Sequence, residues 1–179
     1  MSATLSINYP FGSCFVPEGT GVLLNDEMDD FSSKVGVPNA YGLVGAEANA
    51  IEPGKRMLSS MSPTFLETDD RLAVIGTPGG SRIITMVLLG SLRFYAGEDA
   101  KSIVNGARFH HQYLPDNIFY EVDSFNENTA KVLKVKGHKL KKSDSTWGNM
   151  QVVIWDKKSK KMSAASDVRG VGKAKVISE

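Results

Sequence analysis

The chain reads as an α+β fold, helices layered on an antiparallel sheet, and three observations carry that reading. Thr64–Glu67 and Arg71–Ile75 flank the turn residues Thr68-Asp69-Asp70, the pattern of a hairpin. Met150–Trp155 and Lys161–Ser166 flank a lysine-rich turn in the same way. Helical segments lie between these pairs, and antiparallel pairs separated by helices argue against a parallel doubly wound sheet. With 179 residues, 41% of them hydrophobic and 23% charged, the chain fits one globular domain over residues 1–179 with a sizeable core.

The elements follow in order. The first third is punctuated by glycine, proline, serine and asparagine, so short strands at Ala3–Asn8 and Gly21–Leu24 are expected among long loops. After the first hairpin, Ile83 to Leu92 suits a helix with Ser81 as its N-cap. Its apolar residues run nearly all round, so both faces are expected to be covered. A shorter helix fits Glu98–Asn105, ended by Gly106. A strand at Ile118–Val122 precedes an amphipathic helix near Asn128–Lys136, with Gly137 placed to terminate it.

Several classes of function are excluded or disfavoured. A net charge of +1 offers no electrostatic case for nucleic acid or an anionic membrane. The lysines at 139, 141, 142, 157, 158, 160 and 161 have no interleaved aromatic platform, so they read as a solvated face. Cys14 is the only cysteine, which rules out an internal disulfide and a cysteine metal site. No stretch is long and apolar enough to span a bilayer, and the N-terminus lacks a signal-peptide pattern. No cofactor is expected.

The loop Gly76-Thr77-Pro78-Gly79-Gly80-Ser81-Arg82 joins an apolar strand to an apolar helix. Paired glycines let the backbone take positive φ and approach a ligand closely. A turn into a helix start also aims unpaired N–H groups at a common point, suited to an anion, a carboxylate or the oxyanion of acyl transfer. A plain strand–turn–helix connection is the other reading. A phosphate loop is disfavoured, because no lysine follows the glycines and no third glycine completes a dinucleotide fingerprint.

Leu23-Leu24-Asn25-Asp26-Glu27-Met28-Asp29-Asp30-Phe31 packs four carboxylates among apolar residues with no lysine or arginine. Leu24, Met28 and Phe31 are expected to tie the segment to a core. Carboxylates held there need a cationic partner. A substrate ammonium, paired acid–base catalysts and a solvated loop all fit. Ser59 and Ser60, within Lys55 to Pro63, either hydrogen-bond a carboxylate or cap a turn. His110 and His111 point apart on a strand or a helix, which disfavours a shared metal.

Taken in order, these segments resemble the small subunit of γ-glutamyltranspeptidase (γ-glutamyltransferase, glutathione hydrolase). The matching blocks are Asn8 to Ser13, Gly19 to Phe31, Pro53 to Pro63, Gly76 to Thr85, Ala107 to Asp116 and Ala165 to Asp167. The resemblance implies an N-terminal-nucleophile hydrolase-like αββα sandwich. It also implies a precursor that cleaves itself to free a threonine nucleophile, whose α-amino group serves as base. A γ-glutamyl group then passes through that threonine to water or to an acceptor amino acid or peptide, glutathione being one such substrate. Gly79 and Gly80 match the oxyanion segment, Ser59 and Ser60 the α-carboxylate pair, and Asn8, Glu27 and Asp30 the α-ammonium site. Ser6 stands where the family usually has a threonine that supports the nucleophile. Tyr41 resembles the tyrosine of a bacterial lid loop closing over Asn8. A large subunit of the same precursor is the implied partner, with periplasmic or extracellular location by resemblance.

The family's nucleophilic threonine has no match here, since the neighbours of Thr4 match the second strand. This chain alone is therefore expected to be catalytically inactive and to begin inside a structural element, as a fragment does. A missing strand is expected to leave an edge open to self-pairing. The competing readings are an inactive relic that binds amino-acid-like ligands and another N-terminal-nucleophile enzyme, such as a cephalosporin acylase or a capsule-processing transpeptidase.

Overall fold

A computed structural model describes residues 2–177, and Cα packing divides the chain into two compact units. One comprises Met1–Thr4 with Ser60–Glu179, the other Leu5–Ser59.

The larger unit is built on alternation. Strand β1 (Thr64–Glu67) and strand β2 (Arg71–Gly76) form the first expected hairpin, and β6 (Gln151–Asp156) with β7 (Lys161–Ser166) forms the second. They join into one antiparallel sheet of order β1-β2-β6-β7, with Ala73 opposite Ile154 and Ile75 opposite Val152. Because side chains alternate along a strand, Leu66, Ala73, Ile75, Val152 and Ile154 share one face and are buried. Two helices cover that face: α1 (Ile83–Tyr95) through Ile83, Met86, Val87 and Phe94, and α2 (Ala100–Asn105) through Ala100, Ile103 and Val104. Each buried aliphatic or aromatic side chain contributes about 1.5–3 kcal/mol. Gly90 lets α1 approach the sheet, since a Cβ there would collide with Ile75 and press on Met150. On the opposite face, Phe65, Val74, Val153 and Ala164 stand in register across all four strands. An antiparallel sheet with two apolar faces is the inner layer of a sandwich.

A second sheet of three strands lies in the same unit, in order β3 (Phe109–His111), β4 (Ile118–Tyr120), β5 (Leu140–Lys142). Here β3 and β4 are antiparallel but β4 and β5 run parallel, across the crossover helix α3 (Glu127–Val135). Asn126 caps α3 by accepting the Thr129 N–H, and Asp99 caps α2 by accepting the Ser102 N–H.

Several expectations are corrected. No strand forms at residues 3–8 or 21–24; Asn8 and Gly21 have positive φ, which breaks an extended run. Ser81 lies inside a 3-10 turn, Gly80–Arg82, and its hydroxyl donates to Gln112 Oε1 (2.9 Å) instead of capping α1. Helix α1 is covered on one face only: Ile84, Leu88, Leu92 and Tyr95 form an exposed stripe at helical spacing. Apolar composition alone does not report which side meets the sheet.

A buried ion cluster closes the larger unit. The Arg108 guanidinium meets Asp167 (2.5 Å), the Val104 carbonyl (2.8 Å) and the Trp147 carbonyl. Arg169 pairs with Glu121 (2.6 Å) and Asp167 (3.0 Å). Burial pushes the Asp167 carboxyl up, but the N–H groups of Arg169 and Met150 and the Arg108 guanidinium outweigh it, holding it below its ordinary value. Two cations and two anions balance, the condition under which buried charge is tolerated.

The smaller unit has no such core. Only Gly12, Phe31 and Ser32 are buried among its residues. Two 3-10 turns, Glu27–Asp30 and Glu47–Asn49, and the bridges Ser32–Ala50 and Pro38–Val44 supply its regular structure. Asn49 ties it together through its side chain, donating to the Asp30 carbonyl (2.7 Å) and accepting the Leu58 N–H (3.0 Å).

Candidate functional site

In the larger unit, the chain leaves β2 at Gly76 and turns through Thr77, Pro78 and Gly79 into the 3-10 turn that starts α1. Gly79 takes φ +148°, and a Cβ there would collide with the Met86 thioether methyl, so only glycine fits. The carbonyls of Pro78, Gly79 and Gly80 are each taken by a donor. Pro78 O accepts the Thr77 hydroxyl (2.9 Å), Gly79 O accepts the Arg82 N–H (3.1 Å), and Gly80 O accepts the Ile83 N–H and the Ser60 hydroxyl (3.0 Å). Among the described residues no acceptor takes the Gly79 N–H. In a trans peptide the N–H points opposite to the preceding carbonyl, so each of these contacts turns the next N–H away from the donor that holds the carbonyl. That arrangement suits an anion or an oxyanion.

Ser60 and the paired glycines, expected in one site, are therefore brought together. The Ser60 proton is committed to the Gly80 carbonyl, a loop-supporting bond that the sequence reading did not include. Ser59 is exposed.

The smaller unit gathers the acidic residues. Glu27 and Asp30 occupy the first and last positions of one 3-10 turn. Burial, then the Glu27 charge and a hydrogen bond shared with the Glu27 side chain, then Asp29 and Asp26, pushes the Asp30 carboxyl up to about 6. Glu27 Oε1 is buried with no hydrogen-bond partner among the described residues. The Tyr9 hydroxyl donates to Asp29 (2.6 Å), which raises the Tyr9 pKa. Asn8, held at φ +53°, donates its side-chain amide to the Asp26 carbonyl (3.0 Å), and its own N–H goes to the Ser6 hydroxyl (2.9 Å). Ser6 thus supports the Asn8 turn. Tyr41 stacks on Tyr9 with centroids 5.7 Å apart, and burial followed by Asp30 and Asp29 raises its pKa. Of the expected anchors, Phe31 is buried while Leu24 and Met28 are exposed. A turn that crowds acids beside a buried, unpartnered carboxylate oxygen suits a cation with N–H donors.

The histidines are occupied otherwise. His110 is buried between the Thr85 hydroxyl and Gln112 Oε1, 2.9 Å from each, and His111 meets Asp116 on the outer side of β3. No cluster of three or more metal-ligating side chains occurs among the described residues, and no helix there is long and apolar enough to cross a membrane. Thr77, Arg108 and Asp167 escaped the sequence reading as functional candidates. Their only signal was membership in the quoted blocks.

Helices on one face of an antiparallel sheet whose other face is also apolar make an α+β sandwich layer, and the solved relatives set its class as an N-terminal-nucleophile hydrolase-like sandwich. The sequence model of the family described as Gamma-glutamyltranspeptidase matches residues 1–177. The chain is 45% identical over 181 residues to the glutathione hydrolase proenzyme of Pseudomonas aeruginosa, covering 99% of this chain and 32% of that protein. It superposes on the γ-glutamyltranspeptidase T380A mutant of Helicobacter pylori with a TM-score of 0.88 at 40% identity, covering 95% of this chain and 93% of that one. The enzyme of Pseudomonas nitroreducens complexed with L-DON gives 0.86 at 44% identity, covering 99% and 93%. The chain belongs to the γ-glutamyltranspeptidase family. It spans about a third of the length of the curated proenzyme.

Proposed function

We propose that these residues form the glutamyl-recognising and oxyanion-stabilising part of a γ-glutamyltransferase or glutathione hydrolase. A threonine hydroxyl attacks the γ-carbonyl, the amine leaves with a proton, and water or an acceptor amine then takes the acyl group from the threonine. In this reading Gly79 and Gly80 present N–H groups to the oxyanion, Glu27 and Asp30 hold the α-ammonium with Asn8 beside them, and Ser59 and Ser60 serve the α-carboxylate. Tyr41 shields the substrate. The observation that carries the reading is the buried, unpartnered Glu27 Oε1 beside an Asp30 carboxyl pushed up to about 6, in a segment with no lysine or arginine. Among ligands of this family's chemistry, a free amino-acid head group supplies the missing cation.

A large subunit of the same precursor is part of the proposal. It is supported by a chain that covers nearly all of a chain in the solved relative but only a third of the curated proenzyme. None of the eight threonines here matches the nucleophile, so the 179 residues by themselves are proposed to turn over no substrate. Incubation with a chromogenic γ-glutamyl anilide tests both halves. The complete enzyme is expected to release aniline and this chain alone to release none. Sustained release by the isolated chain overturns the second half, and no release by the complete enzyme overturns the first.

A further inference from the structure

We propose that Thr77 is a positioning residue for the oxyanion site, its hydroxyl fixing the peptide plane that presents the Gly79 N–H. The inference rests on reading Gly79 and Gly80 as the oxyanion segment. Thr77 is 3% exposed and makes no contact with solvent that would explain a hydroxyl there. That hydroxyl donates to the Pro78 carbonyl (2.9 Å) and accepts the Asn149 N–H (3.2 Å). One proton and free lone pairs allow both bonds at once, and valine, of the same shape, allows neither.

The geometry gives these two bonds a consequence. The Pro78–Gly79 peptide is trans, so its carbonyl and its N–H point in opposite directions. Holding the Pro78 carbonyl toward Thr77 aims the Gly79 N–H away from it, where no acceptor among the described residues takes it. Donation to the carbonyl also polarises the amide and strengthens its N–H as a donor.

The far end of the contact is held just as firmly. Residues 147–150 are fixed by the buried ion cluster: Trp147 N–H donates to Glu121 Oε1 (3.1 Å), the Trp147 carbonyl accepts Arg108, and Met150 N–H donates to Asp167 Oδ2 (3.0 Å). Gly148 packs so closely that a Cβ would collide with the Met86 sulfur and with Arg108, and would stand 3.1 Å from the Thr77 hydroxyl. A continuous set of hydrogen bonds therefore runs from Asp167 and Arg108 through residues 147–150 and Thr77 to the peptide before Gly79.

The test uses the complete enzyme and a γ-glutamyl anilide. Thr77→Val is expected to lower kcat about 10- to 100-fold with KM changed less than about twofold, because a misaimed donor weakens the transition state and not the ground state. Thr77→Ser keeps both bonds and is expected within about threefold of wild type. A general packing role would not give that split or that rescue. Should the valine variant fail to fold, Thr77→Cys, with only a weak S–H donor, takes its place with the same expected loss of kcat. A folded valine or cysteine variant with wild-type kcat overturns the proposal, as does a serine variant as impaired as the valine one. An amide-to-ester replacement at Gly79, which deletes its N–H and adds no side chain, separates the two layers. Full kcat in that variant sinks the oxyanion reading itself, whereas a dead ester variant beside an active Thr77→Val sinks only the role of Thr77.

Discussion

The two units hold themselves together by different means. The larger one buries a continuous apolar cluster between a four-stranded sheet and two helices, and its buried charges come as two cations against two anions. The smaller one buries three residues and relies on turns and side-chain-to-backbone hydrogen bonds; Lys55 pairs with Glu52, while the acids of the Glu27–Asp30 turn face no cation among the described residues. The lesson is one of division. Balanced charge in a packed core is satisfied by its own pairing, whereas unbalanced charge in a turn leaves room for a ligand that brings the missing charge.

That contrast breaks most readily at Asp167. Asp167→Ala leaves the Arg108 guanidinium buried without its carboxylate and is expected to destabilise the larger unit by about 3–5 kcal/mol. Trp147 and Trp155 both lie in that unit, so tryptophan fluorescence in denaturant reads it selectively. Because the Asp167 pKa is depressed, its contribution is present at neutral pH and is lost as pH falls below the ordinary carboxyl range. Next in size is Ile75→Ala, which empties the helix–sheet contact of a residue 1% exposed. A loss of about 2–5 kcal/mol by the same fluorescence measurement is expected.

In the smaller unit the effects are local. Gly12 has φ +49°, and a Cβ there would collide with the Leu24 carbonyl. Gly12→Ala is expected to strain the loop by about 1–3 kcal/mol. Limited proteolysis should then cut faster within residues 5–59 while the tryptophan midpoint stays put. A shifted midpoint would show that the units do not behave separately.

The smallest effect is a titration. The folded-state pKa of Asp30 is raised, so its favourable contribution is fully present below its ordinary value and is lost as pH rises through about 6. Solvent screening keeps this under about 1 kcal/mol. Asp30→Asn should remove the corresponding slope in proteolytic protection between pH 4 and pH 6 (roughly the window set by the two pKa values). An unchanged slope would place the titration elsewhere.

Much of the fold was legible because local pattern decides it. Both long hairpins announce themselves by alternation around turn residues, and α2 and α3 by their spans and closing glycines. The three-residue strands β3 and β5 were not legible: Leu140 is a strand residue only because it pairs with Ile118, far away in the chain. The N-cap expected of Ser81 failed because Ser81 lies inside the 3-10 turn before α1, where its hydroxyl donates to Gln112, 31 positions away. In the candidate site, the paired glycines Gly79 and Gly80 and the acidic run Asp26–Asp30 stood out by residue type, and the family resemblance singled out Glu27 and Asp30 within that run. Thr77 did not, because its role depends on Asn149, 72 positions away, and Arg108 depends on Asp167, 59 positions away.

The central claim is that the Glu27–Asp30 turn recognises a substrate ammonium. Its most direct test compares kcat/KM of the complete enzyme and its Asp30→Asn variant on a γ-glutamyl anilide and on the glutaryl anilide, which lacks only the α-ammonium. The wild type is expected to prefer the γ-glutamyl substrate by about 100-fold or more, and the variant to lose most of that preference. The same preference in both enzymes would contradict the account.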